Sequence, residues 1–341
     1  MRTTEGIFCA GVDYHATVLG EREALVSLAG KRLTPHLIEH NGAEEVVFLS
    51  TCNRVEIYGI SGRRGPEIAE ALGRAMPEGL RQAWTSARGM YLHEGLACWR
   101  HLSEVATGLR SMVMGEAEIL GQVRAAYQDS RELGGTGKAM HGLFQSVLRA
   151  ARAARQAAGF GKNDPSVGSC AAEILAEELR DRSCGPMLIL GAGHTARSFG
   201  LAAKDKGFGK FLVSSRTVER ASALAAELYG QVVPWEKWPT AVPACAVVVS
   251  ALSGGELAWR TPRCGQGPTA LVDLGVPRTL TRLRQSYPQS VWLDLEELAK
   301  RSEVLPESLG SIHRAEEVLR AHERMWVEGG IREKSERGSA G

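Results

Sequence analysis

The segment Ser50-Thr51-Cys52-Asn53-Arg54-Val55-Glu56-Ile57-Tyr58 places a thiol at a bend between two stretches of strand character. Val46-Val47-Phe48-Leu49 is a short apolar run, and Val55-Glu56-Ile57-Tyr58 alternates apolar and polar residues, the pattern of a half-buried strand. The thiolate is the reactive form of cysteine. A guanidinium two positions on, at Arg54, lowers a thiol pKa and can also grip a carboxylate at two points. The same pattern suits a plain hairpin in which Cys52 is a small half-buried residue, since free cysteine is among the most buried types. The local sequence leaves both readings open.

A second chemical signal lies far downstream. Leu190-Gly191-Ala192-Gly193-His194-Thr195-Ala196 follows the apolar run Met187-Leu188-Ile189-Leu190 and opens a helical pattern. This is the G-x-G-x-x-A arrangement of a dinucleotide site: one glycine for the turn, one for close approach of a pyrophosphate, and a small residue for helix packing. Helix N-terminal amides would carry the phosphates. At the end of the next strand, where an NAD site usually places an acid about 20 residues on, the chain reads Ser214-Ser215-Arg216-Thr217. Hydroxyls and a guanidinium suit a 2′-phosphate, so the expected cofactor is NADPH. Thr217 also reads as the N-cap of the helix beginning at Val218.

These signals need a scaffold of two parts. At 341 residues, 44% hydrophobic and 23% charged, with a formal net charge of +2, the chain is sized for two domains and has no global field for nucleic acid. Any RNA contact must rest on local basic patches. The seven cysteines (9, 52, 98, 170, 184, 245 and 264) are odd in number and contain no Cys-x-x-Cys. That speaks against a disulfide framework or metal cluster and for a cytoplasmic setting. No apolar run approaches the roughly 20 residues needed to span a bilayer, so no membrane contact is expected. The residues to about 160 mix strands (Gly6 to Val12, Val46 to Tyr58) with helices over 65–85, 92–133 and 140–158. The run Gly159-Phe160-Gly161-Lys162-Asn163-Asp164-Pro165 reads as a boundary. Ser166 to Leu179 reads as a helix, after which strands and helices alternate as in a doubly wound parallel sheet. A helix follows Pro306 with apolar positions at Ile312, Ala315, Val318, Leu319, Met325 and Trp326. Gly329-Gly330 is expected to end it, and the charged tail 331–341 is expected to be disordered. The expected fold class is α/β, with an N-terminal α+β catalytic domain (1–160), a Rossmann-type NADP-binding domain (161–302) and a C-terminal connecting helix (303–330).

Three ordered stretches carry a family resemblance. Thr51-Cys52-Asn53-Arg54 with its Val-Glu-Ile-Tyr strand resembles the nucleophile motif of glutamyl-tRNA reductases. The run from Gly108 to Val123, Gly-Leu-Arg-Ser-Met-Val-Met-Gly-Glu-Ala-Glu-Ile-Leu-Gly-Gln-Val, is similar to that family's signature segment. Val272-Asp273-Leu274-Gly275-Val276-Pro277-Arg278 resembles the strand and turn closing its nucleotide-binding domain. The resemblance implies NADPH-dependent reduction of glutamyl-tRNA to glutamate-1-semialdehyde through a Cys52 thioester, the first step of tetrapyrrole biosynthesis by the five-carbon route. It implies catalytic roles for Cys52 and His101, and an aminoacyl pocket of Thr51, Asn53, Arg54, Ser111, Glu116, Ala117, Glu118 and Gln122. Gly191, Ala192, Gly193, His194, Thr195, Ala196, Ser214, Ser215, Arg216 and Thr217 are the expected cofactor residues, and no metal is expected.

Charged tRNA is the expected partner, and a downstream aminomutase is the enzyme that would receive the aldehyde. The chain departs from the family at Arg110, where an acid is usual, and at Gln156-Ala157-Ala158, where Thr-Glu-Thr is usual. The family usually continues into a dimerisation domain, so the expectation here is a shortened connecting helix and a monomer or weak dimer. Alternative functions are a paralogue reducing another aminoacyl-tRNA or acyl thioester, a shikimate-type dehydrogenase, and a catalytically silent relative. The 108–123 signature and Thr51-Cys52-Asn53-Arg54 count against the dehydrogenase, and an intact Cys52 and Arg54 count against the silent relative.

Overall fold

The computed structural model describes residues 6–15, 22–23, 25, 33–40, 42–51, 53–78, 81–82, 84, 90–160, 166–180, 185–252, 255–259, 267–302 and 309–338, with residues 302, 309 and 330–338 by backbone alone. The chain divides into two compact units, residues 1–164 with 305–341, and residues 165–304. Cys52, most of the expected boundary run (161–165) and residues 339–341 lie outside the described residues.

The first unit is built on an antiparallel sheet. Its strands are β1 (Ile7–Asp13), β2 (Glu45–Ser50), β3 (Arg54–Ile60) and β4 (Tyr91–Glu94), in the order β2-β3-β1-β4. β2 and β3 form a hairpin with Ser50 opposite Val55, and β1 runs beside β3 with Gly11 opposite Glu56 and Asp13 opposite Arg54. Helices cover both faces. On one side, α1 (Leu33–Glu39) and α2 (Pro66–Ala75) bring Leu33, Leu37, Ile68 and Leu72 onto Phe8, Val55 and Ile57. On the other, α3 (Leu96–Thr107), α4 (Ile119–Glu132) and α5 (Lys138–Ala158) bury Leu102, Val123, Phe144 and Val147 against Cys9, Val47 and Tyr58. The central strands are therefore buried along their whole length, polar residues included.

Two expected helical stretches are interrupted. Over 92–133, the first residues belong to β4, and α3 is closed by Gly108 in the left-handed region (φ 89°). Residues 108–118 then form a loop before α4. Such a conformation is far cheaper for glycine than for a residue with a Cβ. The 65–85 helix breaks at Met76, which takes an extended conformation before Pro77, as a residue preceding proline is pushed to do.

The second unit is a parallel sheet of six strands: β5 (Met187–Leu190), β6 (Phe211–Ser214), β7 (Gln231–Val232), β8 (Val247–Ser250), β9 (Ala270–Asp273) and β10 (Val291–Asp294). Their order, β10-β9-β8-β5-β6-β7, is the doubly wound Rossmann arrangement, with the strand order reversing between β5 and β8. The helix α6 (Val167–Glu178) starts with a reciprocal cap between Ser166 and Ser169, which satisfies amides that would otherwise be orphaned. It packs on α7 (His194–Asp205). The approach is close because Gly168 has no side chain: a Cβ there would stand 2.5 Å from the Thr195 carbonyl oxygen and 2.7 Å from the Phe199 nitrogen. Further helices are α8 (Val218–Glu227), α9 (Trp238–Ala241), α10 (Thr281–Ser286) and α11 (Leu295–Ser302).

The last helix, α12 (Leu309–Gly338), returns to the first unit. Ala315 and Leu319 are buried against α5, Arg314 donates to the carbonyls of Ala157 and Ala158, and Glu323 pairs with Arg100. Met325, expected on the apolar stripe, is exposed. The helix also continues through Gly329-Gly330 and across 331–338, where a helix end and a disordered tail were expected. Two glycines cost about 1 kcal/mol each relative to alanine, whereas the Arg, Glu and Lys residues that follow are good helix formers.

Because the α6–α7 contact depends on the bare Cα of Gly168, Gly168→Ala is expected to destabilise the second unit by about 1–3 kcal/mol, as overpacking does. Urea denaturation followed by tryptophan fluorescence checks this.

Candidate active site and family

The β2–β3 turn is built by Thr51. Its Oγ1 accepts from the amides of Asn53 (3.1 Å) and Arg54 (3.2 Å), and its own amide donates to the Arg54 carbonyl (2.9 Å). The side chains of Arg54, Glu56 and Tyr58, two residues apart on one strand, project from the same face. Arg54 and Glu56 are wholly enclosed, and Arg54 Nη1 donates to Glu56 Oε1 at 3.0 Å. The same carboxylate accepts from Tyr58 (2.6 Å), Tyr91 (2.5 Å) and His101 Nε2 (2.7 Å). Gly11, opposite on β1, makes room for it: a Cβ there would stand 2.7 Å from Glu56 Cγ.

The electrostatics follow from this enclosure. Burial pushes the Glu56 carboxyl up, but Arg54, His101 and the hydrogen bonds from His101 and Tyr58 outweigh it and hold the group well below the usual carboxylate range. Burial and Glu56 raise the Tyr91 hydroxyl. Burial, then Glu56, raises the Cys9 thiol. Cys9, Glu56 and His101 lie close enough for a ligand atom of each to fall within 4.8 Å of the others. Glu56 already accepts from four donors, and this hydrogen-bond network accounts for the cluster.

The signature segment comes to the same turn. Asn53 Nδ2 lies 3.4 Å from Glu116 Oε1, and Arg54 Nη2 donates to the Arg110 carbonyl. Burial raises the Glu116 carboxyl, against smaller opposing contributions led by Ser111. Ser111 is buried beside it, while Ala117 and Glu118 are half-buried. The Arg110 side chain points outward to Glu104 (2.5 Å). Gln122 is set apart from this group, lining an open cleft of about 540 Å³ with Ser50, Phe48, Ala126 and Leu133.

One residue missed in the sequence, Arg155 of α5, closes the base of the loop by donating to the carbonyls of Thr107 (2.9 Å), Gly115 (3.0 Å) and Glu116 (3.0 Å). Glu56, Tyr91 and Gly11 were missed as well. Alternation made Glu56 look like a solvent-facing position, although polar residues two apart at 54 and 56, with Tyr58 beyond, were a readable sign of a polar cluster on one face.

In the second unit the residues fit a dinucleotide. Gly191 has φ 109°, and a Cβ on it would stand 2.8 Å from the Ala251 carbonyl oxygen, whereas a Cβ on Gly193 would meet open space. Ala192 is half-buried, His194 and Thr195 open α7, and Ala196 is fully buried under the turn. Ser214 Oγ is buried at the end of β6 without a partner among the described residues. Ser215 accepts weakly from the Thr217 amide (3.4 Å), and Thr217 makes no side-chain cap on α8. Arg216 is exposed and lines a cleft of about 250 Å³ with Trp235, Leu252 and Leu257. Across the crevice, Asp273 accepts from the amides of Gly275, Thr279 and Leu280, folding the turn after β9.

The Glu56 carboxyl has a folded-state pKa below its unfolded value. Its contribution is therefore complete above the unfolded pKa and is lost as pH falls towards the folded one. The urea midpoint of the first unit is expected to drop as pH falls below about 4.5, and Glu56→Gln is expected to flatten that part of the profile.

Comparison with known proteins places both units. Residues 10–158 match the family described as glutamyl-tRNAGlu reductase, N-terminal domain, and residues 172–300 match shikimate/quinate 5-dehydrogenase. The chain is 35% identical over 275 residues to glutamyl-tRNA reductase of Deinococcus radiodurans, covering 78% of this chain and 75% of the relative. It is 32% identical over 287 residues to that of Alkalilimnicola ehrlichii, covering 80% and 63%. It thus spans about two thirds of the length of these curated relatives. The solved glutamyl-tRNA reductase from Methanopyrus kandleri matches with a TM-score of 0.54 at 25% identity, covering 98% of this chain and 82% of that one. With two sequence-distant segments meeting at one turn and a Rossmann unit following, the chain belongs to the glutamyl-tRNA reductase family.

Proposed function

We propose that this chain reduces glutamyl-tRNA to glutamate-1-semialdehyde with NADPH, the opening step of tetrapyrrole synthesis by the five-carbon route. The observation that carries this is the meeting of Asn53 with Glu116 and of Arg54 with the Arg110 carbonyl, at the turn that holds Cys52. In this reading the Cys52 thiolate attacks the ester carbonyl joining the amino acid to the tRNA 3′ end. A C–S bond forms, the C–O bond to the ribose breaks, and the ribose oxygen leaves with a proton. A nicotinamide cofactor held by the glycine turn would supply the hydride that, with a proton, converts the thioester to an aldehyde and a free thiol.

Thr51, Asn53, Ser111, Glu116, Ala117 and Glu118 shape the aminoacyl pocket, with Gln122 on the adjoining cleft. A substrate carboxylate at Arg54 would share the guanidinium with Glu56. Arg54 Nε, buried and without a partner among the described residues, is the donor left for it. Gly191, Ala192, Gly193, His194, Thr195 and Ala196 cradle the pyrophosphate. Ser214 and Thr217 flank Ser215 and Arg216, which take the 2′-phosphate.

Supplied with glutamyl-tRNA and no NADPH, the protein is expected to carry the glutamyl group on Cys52, seen by intact-protein mass spectrometry and peptide mapping. Cys52→Ser is expected to abolish both adduct and aldehyde, because a hydroxyl is a far poorer nucleophile than a thiolate at neutral pH. An adduct on another cysteine would overturn the assignment. Faster reduction of a different aminoacyl-tRNA would move the reading to a paralogue.

The cofactor choice has its own measurement. Charge-assisted hydrogen bonds contribute about 1.5–3 kcal/mol, so Arg216→Ala is expected to weaken NADPH roughly 10- to 100-fold while barely changing NADH, in a fluorescence titration. Equal affinities for the two cofactors in the unmutated protein would sink it.

A further inference from the structure

We propose that Glu56 is a positioning residue for His101, fixing its imidazole as the Nε2–H tautomer and leaving Nδ1 as the nitrogen with a free lone pair. This rests on the function proposed above and names the atom through which His101 acts in it. His101 Nε2 lies 2.7 Å from Glu56 Oε1. An ionised carboxylate can only accept, so Nε2 donates; in the tautomer proposed here the ring's single N–H is then the one on Nε2. Nδ1 is buried without a hydrogen-bond partner among the described residues.

The carboxylate cannot swing away from this task. Tyr58 holds Oε2, while Arg54 and Tyr91 hold Oε1 beside His101. Arg54 also cancels its charge, so the imidazole meets an ion pair with no net charge rather than a lone anion. The other titratable neighbours bring no competing charge. Burial raises the Cys9 thiol and the Tyr58 and Tyr91 hydroxyls, keeping them protonated, and lowers His93, which stacks on His101 with ring centroids 4.5 Å apart, keeping it neutral.

An acceptor left unsatisfied in a buried site carries a desolvation penalty. A bare basic nitrogen held this way is suited to receive a proton from a reacting group. In the proposed reaction, Nδ1 is the atom through which His101 would take up and return a proton. Glu56 touches neither substrate nor cofactor and acts through the ring.

Nuclear magnetic resonance of the full chain with 15N-labelled histidine tests this on the resting protein, His101 being assigned among the nine histidines by the signal lost in His101→Gln. The expected spectrum at pH 7 shows Nε2 protonated and Nδ1 bare. Glu56→Gln is expected to release the tautomer and to lower kcat roughly 10- to 100-fold, as loss of the carboxylate partner of a metal-bound histidine does. In the His101→Gln background the same change should cost nothing further. A proton on Nδ1 in the wild-type protein, or losses that multiply in the double variant, would overturn the proposal. Should Glu56→Gln fail to fold, the wild-type spectrum decides alone. Because the tautomer is read without substrate, an Nε2–H ring in a protein that ignores glutamyl-tRNA would remove the proposed function and leave the positioning role standing.

Discussion

Two ionised side chains, Arg54 and Glu56, lie enclosed on one face of the central strand of the first unit. Taking each from water costs several kcal/mol, and their attraction offsets this only where geometry is good and the remaining polar atoms find partners. Three further donors on Glu56, from two tyrosines and a histidine, meet that condition. The surroundings follow from it. β4 brings Tyr91 to it and α3 brings His101, and the Arg110 carbonyl meets Arg54 where the loop after α3 is closed at its base by Arg155. A polar centre thus organises a layer that would otherwise be plain sheet-and-helix packing.

The second unit is arranged on the opposite principle, by what is missing. Gly168 lets one helix lie against another, Gly191 turns under the Ala251 carbonyl, and Gly193 leaves space above the start of α7. Each omission gives up side-chain burial and adds backbone entropy to be lost on folding. The apolar strands beneath, Met187–Leu190 and Val247–Ser250, are buried end to end and supply what the turn gives up.

Much of this was legible in the chain. The Rossmann unit was readable strand by strand, because parallel strands buried on both faces read as apolar runs and the glycine turn has a spacing of its own. The hairpin around residue 52 was readable from its flanking patterns. The role of Glu56 was not, because alternation assigns a charged residue to solvent, and only the helices on that face turn solvent into interior. Arg155 was hidden for another reason: its partners are backbone carbonyls, which leave no mark on side-chain sequence. The course of α12 through two glycines was missed because composition describes a tail's average tendency, whereas a helix already anchored on α5 need not nucleate again.

The fit of Gly11 against Glu56 has a consequence for how such a chain can drift. Neighbouring strands place these two positions face to face, and there is room for one side chain between them. A Cβ at position 11 would stand 2.6 Å from the Val55 carbonyl oxygen as well as 2.7 Å from Glu56 Cγ. The backbone of the neighbouring strand thus keeps position 11 bare whatever side chain stands at 56, while a shorter acid at 56 would draw back from His101 and both tyrosines together. The absence of a side chain at position 11 is therefore a property of how closely the two strands approach, and the carboxylate occupies the space that this leaves.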